Sequence, residues 1–284
     1  MPELPEVETI RQGLQKYIVG HKIVDIIIHD NNIFQGDKKN IIGAKIKDVK
    51  RIGKGLIIEL DNEYSLAIHI KLTGQLIYRG FETKNIKVSE GKVGVVPSKF
   101  TRIIFNLDNN SFLYYNDIRR FGWIKVLKID DLKQLPFFKE LGPEPPVVSN
   151  DGLTLDLFKS IIAKSKISIK PLLMDQKKIG GIGNIYANDA LFDAEILPSR
   201  KANSLSSLEI KKLYNSILKV LRNGLKNGGA SELTYVNALG QEGNYQIHFL
   251  VYGREGKKCL RCDGIIKKIK LGGRGTYFCN NCQA

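Results

Sequence analysis

The hydrophobic pattern of the chain changes near residue 20. Apolar residues recur every three or four positions from Val7 to Ile18, and Gly20 follows them. This spacing predicts an amphipathic α-helix that ends near Gly20, since glycine readily adopts the backbone conformation of a helix C-terminus. From His21 to about Leu127, short runs rich in β-branched and aromatic residues alternate with turn-forming Asp-Asn pairs. The runs are 22–28, 56–60, 64–70, 102–107 and 112–115. We therefore predict an N-terminal sandwich or barrel of antiparallel strands with a helix beside it.

A second change separates the two halves of the chain. Residues 141–152 are rich in proline and glycine and predict a hinge or linker. Segments with helical spacing follow it, and β-type runs return at the C-terminus around four cysteines. The predicted fold class is α+β multidomain. The predicted ranges are 1–130 for the N-terminal domain, 131–152 for the linker, 153–250 for the helical domain and 251–284 for the metal module.

Charge narrows the choice of partners. The 284 residues include 44 Lys and Arg against 29 Asp and Glu, which gives a net charge of +15. Such a balance favours a polyanion, with nucleic acid first and an anionic membrane surface second. No apolar run approaches the roughly 20 residues of a membrane span, and the N-terminus does not resemble a signal peptide. We expect a cytoplasmic protein with no membrane association.

The cysteines form two closely spaced pairs. They have the pattern C-x2-C-x16-C-x2-C and comprise Cys259, Cys262, Cys279 and Cys282. Two such pairs bring four thiolates to one tetrahedral Zn²⁺, so we predict a single structural zinc. Residues 257–284 carry seven basic side chains and one acidic side chain, and Arg274 lies in a Gly-rich hairpin tip. This module either contacts nucleic acid or is purely structural with a solvated positive charge.

The first six residues contain the strongest candidate for catalysis. Removal of Met1 would leave Pro2 with a free secondary amine. Because the pKa of an α-amine is about 8, a useful fraction of this amine would be neutral and able to attack a carbonyl-like carbon. Glu3 and Glu6 lie within one helical turn of it, where a proton donor and a structural carboxylate are needed. The alternative is an ordinary Pro- and Glu-rich helix start.

Three internal segments also suggest chemistry. Lys54 lies in a turn before an apolar strand. Three roles are open for it: a catalytic amine, a phosphate contact or an ordinary surface lysine. Residues 117–123 have the sequence Asp-Ile-Arg-Arg-Phe-Gly-Trp. In one interpretation, Arg119 reads a base edge and Phe121 wedges between base steps. In the other, an arginine pairs with an aspartate and the aromatic residues lie in the core. The glycines before Asn184 predict a turn that exposes N–H groups to a phosphate.

Six segments together carry a resemblance to a known family. They are Pro2–Glu8, Asp117–Gly122, Leu141–Pro145, Gly181–Ala187, Val251–Arg254 and Gly273–Thr276. In these segments the chain resembles the formamidopyrimidine-DNA glycosylase family over nearly its whole length. The resemblance implies an antiparallel β-sandwich with a flanking helix, a helix–two-turn–helix domain and a zinc-finger β-hairpin, with double-stranded DNA in the cleft between the halves. It also implies a bifunctional glycosylase and abasic-site lyase that excises oxidised purines in base excision repair.

The resemblance also implies a role for each catalytic residue. Pro2 would attack the sugar C1′ of an extruded nucleotide to form a Schiff base, and Glu3 would supply the proton that opens the sugar or reaches its ring oxygen. Lys54 and Arg274 match positions assigned to proton transfer or phosphate contact during β,δ-elimination.

The same resemblance implies a set of DNA contacts. His69 and Asn184, like Lys54 and Arg274, would contact the DNA backbone. From the sequence alone, His69 is instead interpreted as a packed histidine. Leu72, Arg119 and Phe121 match the residues that fill the gap left by the extruded base. Lys166 is a further candidate for a DNA contact.

Some positions depart from the family pattern. Leu72 stands where methionine is common, which keeps the apolar volume but reduces flexibility. Residues 99–102 lack the family histidine, so Arg102 is the expected replacement for its DNA contact. The segment 231–246, expected to fold over the extruded base, matches only loosely.

Two other functions remain open at this point. An endonuclease VIII-type glycosylase for oxidised pyrimidines has the same fold, and a non-enzymatic zinc protein that binds nucleic acid needs only the basic charge and the zinc module. For the favoured function we expect a bacterial, nucleoid-associated activity and a monomer.

Overall fold

The computed structural model describes residues 1–149 and 151–284; Asn150, part of the predicted hinge, lies outside them. The described chain forms two compact units. One comprises Met1–Lys139 and Asn227–Gln246, and the other comprises Glu140–Lys226 and Ile247–Ala284. Residues 227–246, which the sequence assigns to the helical domain, thus pack within the N-terminal unit. The change from unit one to unit two at Lys139 lies inside the predicted linker.

The N-terminal unit contains one long helix, nine strands and a short helix. These are α1 (Leu4–Ile18), β1 (Ile23–Ile28), β2 (Phe34–Gln35), β3 (Ile46–Ile52), β4 (Gly55–Leu60), β5 (Tyr64–His69), β6 (Gly74–Arg79), β7 (Thr101–Leu107), β8 (Ser111–Asp117), β9 (Trp123–Lys128) and α2 (Pro136–Lys139). Gly20 adopts φ +94 directly beyond α1, so the predicted helix end is confirmed.

Two sheets make up the sandwich. One has the order β1-β7-β8-β6 and the other has the order β2-β9-β5-β4-β3. All pairings are antiparallel except that of the short β2 with β9, where Phe34 lies opposite Ile124. The predicted antiparallel sandwich is therefore confirmed with one parallel edge pair.

A shared hydrophobic core lies between the sheets and α1. Val7, Ile10 and Leu14 of α1 pack into it with residues from both sheets. A second cluster covers the outer face of β4 and β5, where Ile57 and Ala67 contact Leu132. Because both of their faces are covered, these two strands have continuous apolar runs rather than an alternating pattern.

The second unit contains four helices and a hairpin. They are α3 (Leu155–Ala163), α4 (Ile169–Met174), α5 (Asn184–Asp193), α6 (Ser207–Lys226), β10 (Lys267–Leu271) and β11 (Arg274–Phe278). The strands β10 and β11 pair in an antiparallel register in which Leu271 lies opposite Arg274. Within the described ranges, no helix combines the length and the apolar character needed to cross a membrane.

Candidate active site and nucleic-acid interface

The first turn of α1 positions the two residues that the sequence assigns to catalysis. Pro2 is buried, and Glu3 is 3% exposed. The backbone N–H of Glu3 donates to Oε2 of Glu6 at 2.7 Å, and the N–H of Ala230 donates to Oε1 at 2.8 Å. The Glu6 carboxylate thus connects the helix start to segment 227–246 and holds the residues before α1 in one position.

Lys54 lies in the tight turn between β3 and β4. The turn is anchored to α1 through Arg51, whose Nη1 donates to the Gly53 carbonyl at 2.8 Å and whose Nε donates to Glu8 Oε2 at 3.1 Å. Glu8 is 1% exposed and also accepts from Arg11 Nε at 2.9 Å. Since Pro2 and Glu3 directly precede α1, this ion pair fixes the Lys54 backbone relative to the helix that follows them.

His69 ends β5 as a neutral, buried imidazole. Burial, followed by the positive charges of Lys71 and Lys54, lowers its pKa from 6.5 to about 3. Its Nδ1 accepts the backbone N–H of Lys71 at 3.0 Å, which leaves the proton of the neutral ring on Nε2. The ring also packs edge-on against Phe137, with centroids 4.7 Å apart. His69 is therefore suited to donate one uncharged hydrogen bond.

The Asp117 carboxylate organises two neighbouring loops. It accepts the backbone N–H of Gly122 at 2.8 Å and that of Arg119 at 3.2 Å, and it also accepts the hydroxyl of Thr73. The Thr73 hydroxyl oxygen in turn accepts from Arg119 N at 2.9 Å. Leu72 precedes Thr73, so these bonds bring the loops of Leu72 and Arg119 together.

The side chains on these loops are accessible. Phe121 is 52% exposed, and the Arg119 guanidinium carbon lies 4.6 Å from the centre of its ring. Leu72 is half-buried. Of the two aromatic residues in the motif, only Trp123 packs in the protein, where it contacts Phe137. The alternative that places Phe121 in the core is therefore wrong.

Two predicted DNA contacts differ in their surroundings. Arg102 is only 9% exposed, and its guanidinium donates to the carbonyls of Asp117 at 2.9 Å and Lys99 at 3.2 Å. Two of its five N–H donors thus support the backbone beside β8, and the DNA contact of Arg102 stays a prediction. Lys166 is exposed in the segment between α3 and α4, as a phosphate contact requires.

In the second unit, a glycine-rich turn precedes α5. Gln176 shapes it by accepting the N–H of Gly181 at 3.0 Å and donating to the Ile182 carbonyl at 2.7 Å. Gly181 has φ +86, a conformation that favours glycine. Asn184 follows as the first residue of α5 and is half-buried.

Arg274 is exposed at the start of β11, as the predicted hairpin tip requires. A buried lysine supports it from α4. Lys170 is 0% exposed, and its Nζ donates to the Gly275 carbonyl at 2.9 Å and to the Thr276 hydroxyl at 2.7 Å. Lys170 thus fixes the two residues that follow Arg274.

Asn188 connects the hairpin to the start of α5. Its amide nitrogen donates to the Asn184 carbonyl at 2.6 Å, and its oxygen accepts the N–H of Tyr277 at 2.8 Å. Asn184 and Arg274, which are 90 positions apart in the sequence, are therefore held on one connected framework within this unit.

The four cysteines form a metal site of the predicted composition. Their sulfur atoms all lie within 4.8 Å of one another, with Cys262 3.6 Å from Cys279 and Cys259 3.8 Å from Cys282. A tetrahedral zinc with Zn–S bonds of about 2.3 Å requires S–S separations of about 3.8 Å. The site therefore fits one structural Zn²⁺, as predicted.

Sequence reasoning did not identify several supporting residues. Arg51, Lys170 and Asn188 were not singled out, because a single sequence does not distinguish a charged or polar residue that is buried against its partners from one at the surface. Lys170 alone had a local signal, since it lies inside the apolar segment 167–173. Such a lysine needs hydrogen-bond acceptors when it is buried.

Comparison with known proteins agrees with this architecture. The formamidopyrimidine-DNA glycosylase N-terminal domain matches residues 1–124, the H2TH domain of the same enzymes matches residues 141–235, and the zinc finger found in FPG and IleRS matches residues 256–284. A formamidopyrimidine-DNA glycosylase of Pelotomaculum thermopropionicum is 40% identical over 100% of this chain and 99% of its own length.

Solved structures give the same result. Lactococcus lactis Fpg in complex with an abasic site containing DNA has a TM-score of 0.87 and 34% identity, with 99% of each chain covered. The complex of the wild-type protein with N7-benzyl-Fapy-dG containing DNA gives the same TM-score, identity and coverage. With all three domains matched in order and relatives similar over their full length, the chain belongs to the formamidopyrimidine-DNA glycosylase family.

Proposed function

We propose that this protein is a bifunctional DNA glycosylase and abasic-site lyase that excises oxidised purines, such as 8-oxoguanine and formamidopyrimidines, in base excision repair. Family membership over the full length carries this proposal. The site geometry supports it, because the Glu6 carboxylate accepts the backbone N–H groups of Glu3 and Ala230 and so fixes Glu3 beside segment 227–246. The named activity of the relatives and the damaged DNA in the Lactococcus lactis complexes point to the same substrate class.

In the proposed reaction, Met1 is removed and the secondary amine of Pro2 attacks C1′ of the damaged nucleotide. The base leaves C1′ with the bonding electron pair and takes up the proton that the Pro2 nitrogen loses. Glu3 protonates the sugar ring oxygen as the bond from C1′ to that oxygen breaks and the nitrogen lone pair forms the double bond to C1′. The result is an iminium that links Pro2 to C1′. Loss of a C2′ proton then expels the 3′ phosphate, and a second elimination expels the 5′ phosphate. Lys54 and Arg274 serve these proton transfers or hold the phosphates.

We assign the DNA contacts within each unit separately. In the N-terminal unit, His69 donates from Nε2 to a phosphate, and Leu72, Arg119 and Phe121 fill the gap left by the extruded base. Arg119 faces the orphaned cytosine, since a guanidinium can donate to the acceptors on a base edge. In the second unit, Asn184 and Lys166 contact phosphates. In the N-terminal unit we also keep Arg102 as the proposed replacement for the family histidine, with two of its five N–H donors bonded to carbonyls.

We further propose that the protein acts as a monomer on the DNA of the bacterial nucleoid. The observation behind this is the net charge of +15, which favours DNA binding and opposes self-association.

Cleavage of defined duplexes tests the proposed function. Duplexes with one 8-oxoguanine opposite cytosine, one formamidopyrimidine opposite cytosine or one thymine glycol opposite adenine are incubated with the purified protein, and the products are resolved by gel electrophoresis. We expect excision of both purine lesions and strand ends that carry phosphate on both sides of the gap. Preference for thymine glycol would instead indicate an endonuclease VIII-type enzyme. Binding without any cleavage would indicate a non-enzymatic DNA-binding protein.

A further inference from the structure

Lys92 holds the backbone of the segment that lies beside the catalytic helix start. Its Nζ donates to the carbonyls of Ser231 at 2.7 Å and Leu233 at 2.9 Å, and it lies 3.6 Å from Glu242 Oε2. The side chain is 17% exposed, so these acceptors replace most of its contact with water. Two of the three ammonium donors therefore bond to backbone carbonyls of segment 227–246, and the Glu242 carboxylate adds an ion pair from the same segment.

Neighbouring polar groups reinforce this contact. Gln75, on β6, donates from Nε2 to the Thr234 carbonyl at 2.6 Å and to the Lys92 carbonyl at 3.0 Å. One amide therefore connects the strand, the lysine backbone and the segment. The N–H of Ser89 donates to the Gly240 carbonyl at 2.8 Å, and the Ser89 hydroxyl donates to Glu242.

Apolar contacts join the same two parts of the chain. Val236 packs with Val93 and Ile77 in a small cluster that is separate from the main core, with Val88 and Val96 at its margin. Residues 88–96 thus form a platform on which residues 231–242 lie. The platform combines charge-assisted hydrogen bonds with buried apolar area, so it favours one position of the segment.

The held segment connects directly to the catalytic residues. Ala230, which immediately precedes Ser231, donates its N–H to Glu6, and the other oxygen of Glu6 accepts the N–H of Glu3. On the other side of the segment, Ala238 lies so close to α1 that a Cβ on Gly13 would be 2.7 Å from the Ala238 Cβ. The Lys92 contact is therefore separated from the Pro2–Glu3 segment by Ala230 and Glu6 alone.

From this arrangement we propose that Lys92 is a positioning residue for base excision, which fixes residues 231–234 as a wall beside the extruded base. The inference rests on the proposed function. Residues 231–234 can contact the base only while the base is attached to the sugar. An abasic site has no base for them to contact. Loss of Lys92 therefore slows excision of a damaged base and leaves cleavage of a preformed abasic site unchanged.

The test compares two substrates of identical sequence under single-turnover conditions, one with 8-oxoguanine opposite cytosine and one with a preformed abasic site. The variants are Lys92→Ala, Lys92→Arg and the control Lys87→Ala, which changes an exposed lysine directly before the platform. We expect Lys92→Ala to slow excision about tenfold, as loss of charge-assisted hydrogen bonds implies, with abasic cleavage changed less than about twofold. Lys92→Arg retains cationic donors and recovers most of the excision rate.

Each other outcome contradicts a specific part of the inference. Equal slowing on both substrates would show that Lys92 only supports the fold. Unchanged excision in Lys92→Ala, or an equal loss in Lys87→Ala, would show that the contact does not position the segment. If the wild-type protein excises no damaged base but still cleaves abasic sites, the proposed glycosylase function fails, and the role of Lys92 fails with it.

Discussion

At the scale of single residues, His69 shows how burial sets the chemistry of a DNA contact. Burial, with the charges of Lys71 and Lys54, lowers its pKa to about 3. The ring is therefore neutral throughout the physiological range, and the proposed contact with a phosphate does not depend on protonation. The unfolded chain, by contrast, has an ordinary histidine that takes up a proton near pH 6.5.

This difference predicts a pH-dependent stability. Between pH 6.5 and 3 the unfolded state binds the His69 proton and the folded state does not, so the His69 contribution is complete above pH 6.5 and is lost as the pH falls. The expected loss is about 1.4 kcal/mol for each pH unit. Urea unfolding between pH 7.5 and 5 should give a steeper decline for wild type than for His69→Gln. The control His29→Gln changes an exposed histidine and should keep the wild-type slope; equal slopes for His69→Gln and wild type would contradict the prediction.

At the scale of elements, α1 and the turn between β3 and β4 act as one framework. Glu8 on α1 and Arg51 on β3 form an ion pair whose side chains are 1% and 9% exposed. This pair places the turn of Lys54 relative to the helix that begins at Glu3. Removal of one partner leaves an uncompensated charge in a buried position, which costs more than the pair contributes.

We predict a large effect for Glu8→Gln. The free energy of unfolding should fall by about 3 kcal/mol or more. Cleavage of a preformed abasic site should also slow, because Lys54 loses its fixed position. The matched control is Glu59→Gln, which breaks the pair with Lys50, a side chain that is 52% exposed; its cost should stay below about 1 kcal/mol. Chemical unfolding and abasic-site cleavage measure both effects, and equal costs for the two variants would contradict the prediction.

The elements differ in how far the sequence predicts them. The helix α1 and the strands β1, β4, β5, β7 and β8 contain clear apolar runs and were predicted. The strand β3 was not, because Ile46 and Val49 are buried at a spacing of three residues. A register shift between Ile46 and Asp48 disturbs the alternation that identifies a strand. Likewise, the packing of residues 227–246 in the N-terminal unit depends on contacts across more than 130 residues, such as those of Lys92.

At the scale of the whole molecule, positive charge determines how the protein meets DNA. The net charge of +15 belongs to the whole chain, but the proposed phosphate contacts include only three cations: Lys54, Lys166 and Arg274. The neutral His69 and Asn184 release no counterions. The salt dependence of binding therefore reports how many further lysines and arginines lie against the DNA.

Each neutralised phosphate contributes about −0.9 to the slope of log K against log salt concentration, so the three cations require a slope of about −2.7 or steeper. We expect Lys166→Ala to make the slope shallower by about 0.9 without changing the preference for 8-oxoguanine over undamaged guanine. Fluorescence anisotropy of a labelled duplex across several salt concentrations gives both values. A flat salt response, or a change in lesion preference in Lys166→Ala, would contradict these assignments.

The sequence predicts the residue types of the candidate site, but it predicts the residues that support them less well. Pro2, Glu3 and the four cysteines stand in short motifs whose chemistry is evident from their sequence. Arg102 was assigned to DNA from its position alone, whereas its bonds to two backbone carbonyls depend on how β7 and β8 pair. The roles of Asp117 and Lys170 as organisers likewise arise from contacts made only after folding.

The central claim is that the Pro2 amine forms the covalent bond to the damaged nucleotide. Borohydride reduction during reaction with an 8-oxoguanine duplex, followed by mass spectrometry of the protein peptides, tests it most directly. The account predicts a DNA-linked N-terminal peptide that begins at Pro2, with the sugar remnant on its amine. A remnant on an internal lysine of the wild-type protein, or an active protein that retains Met1, would contradict it.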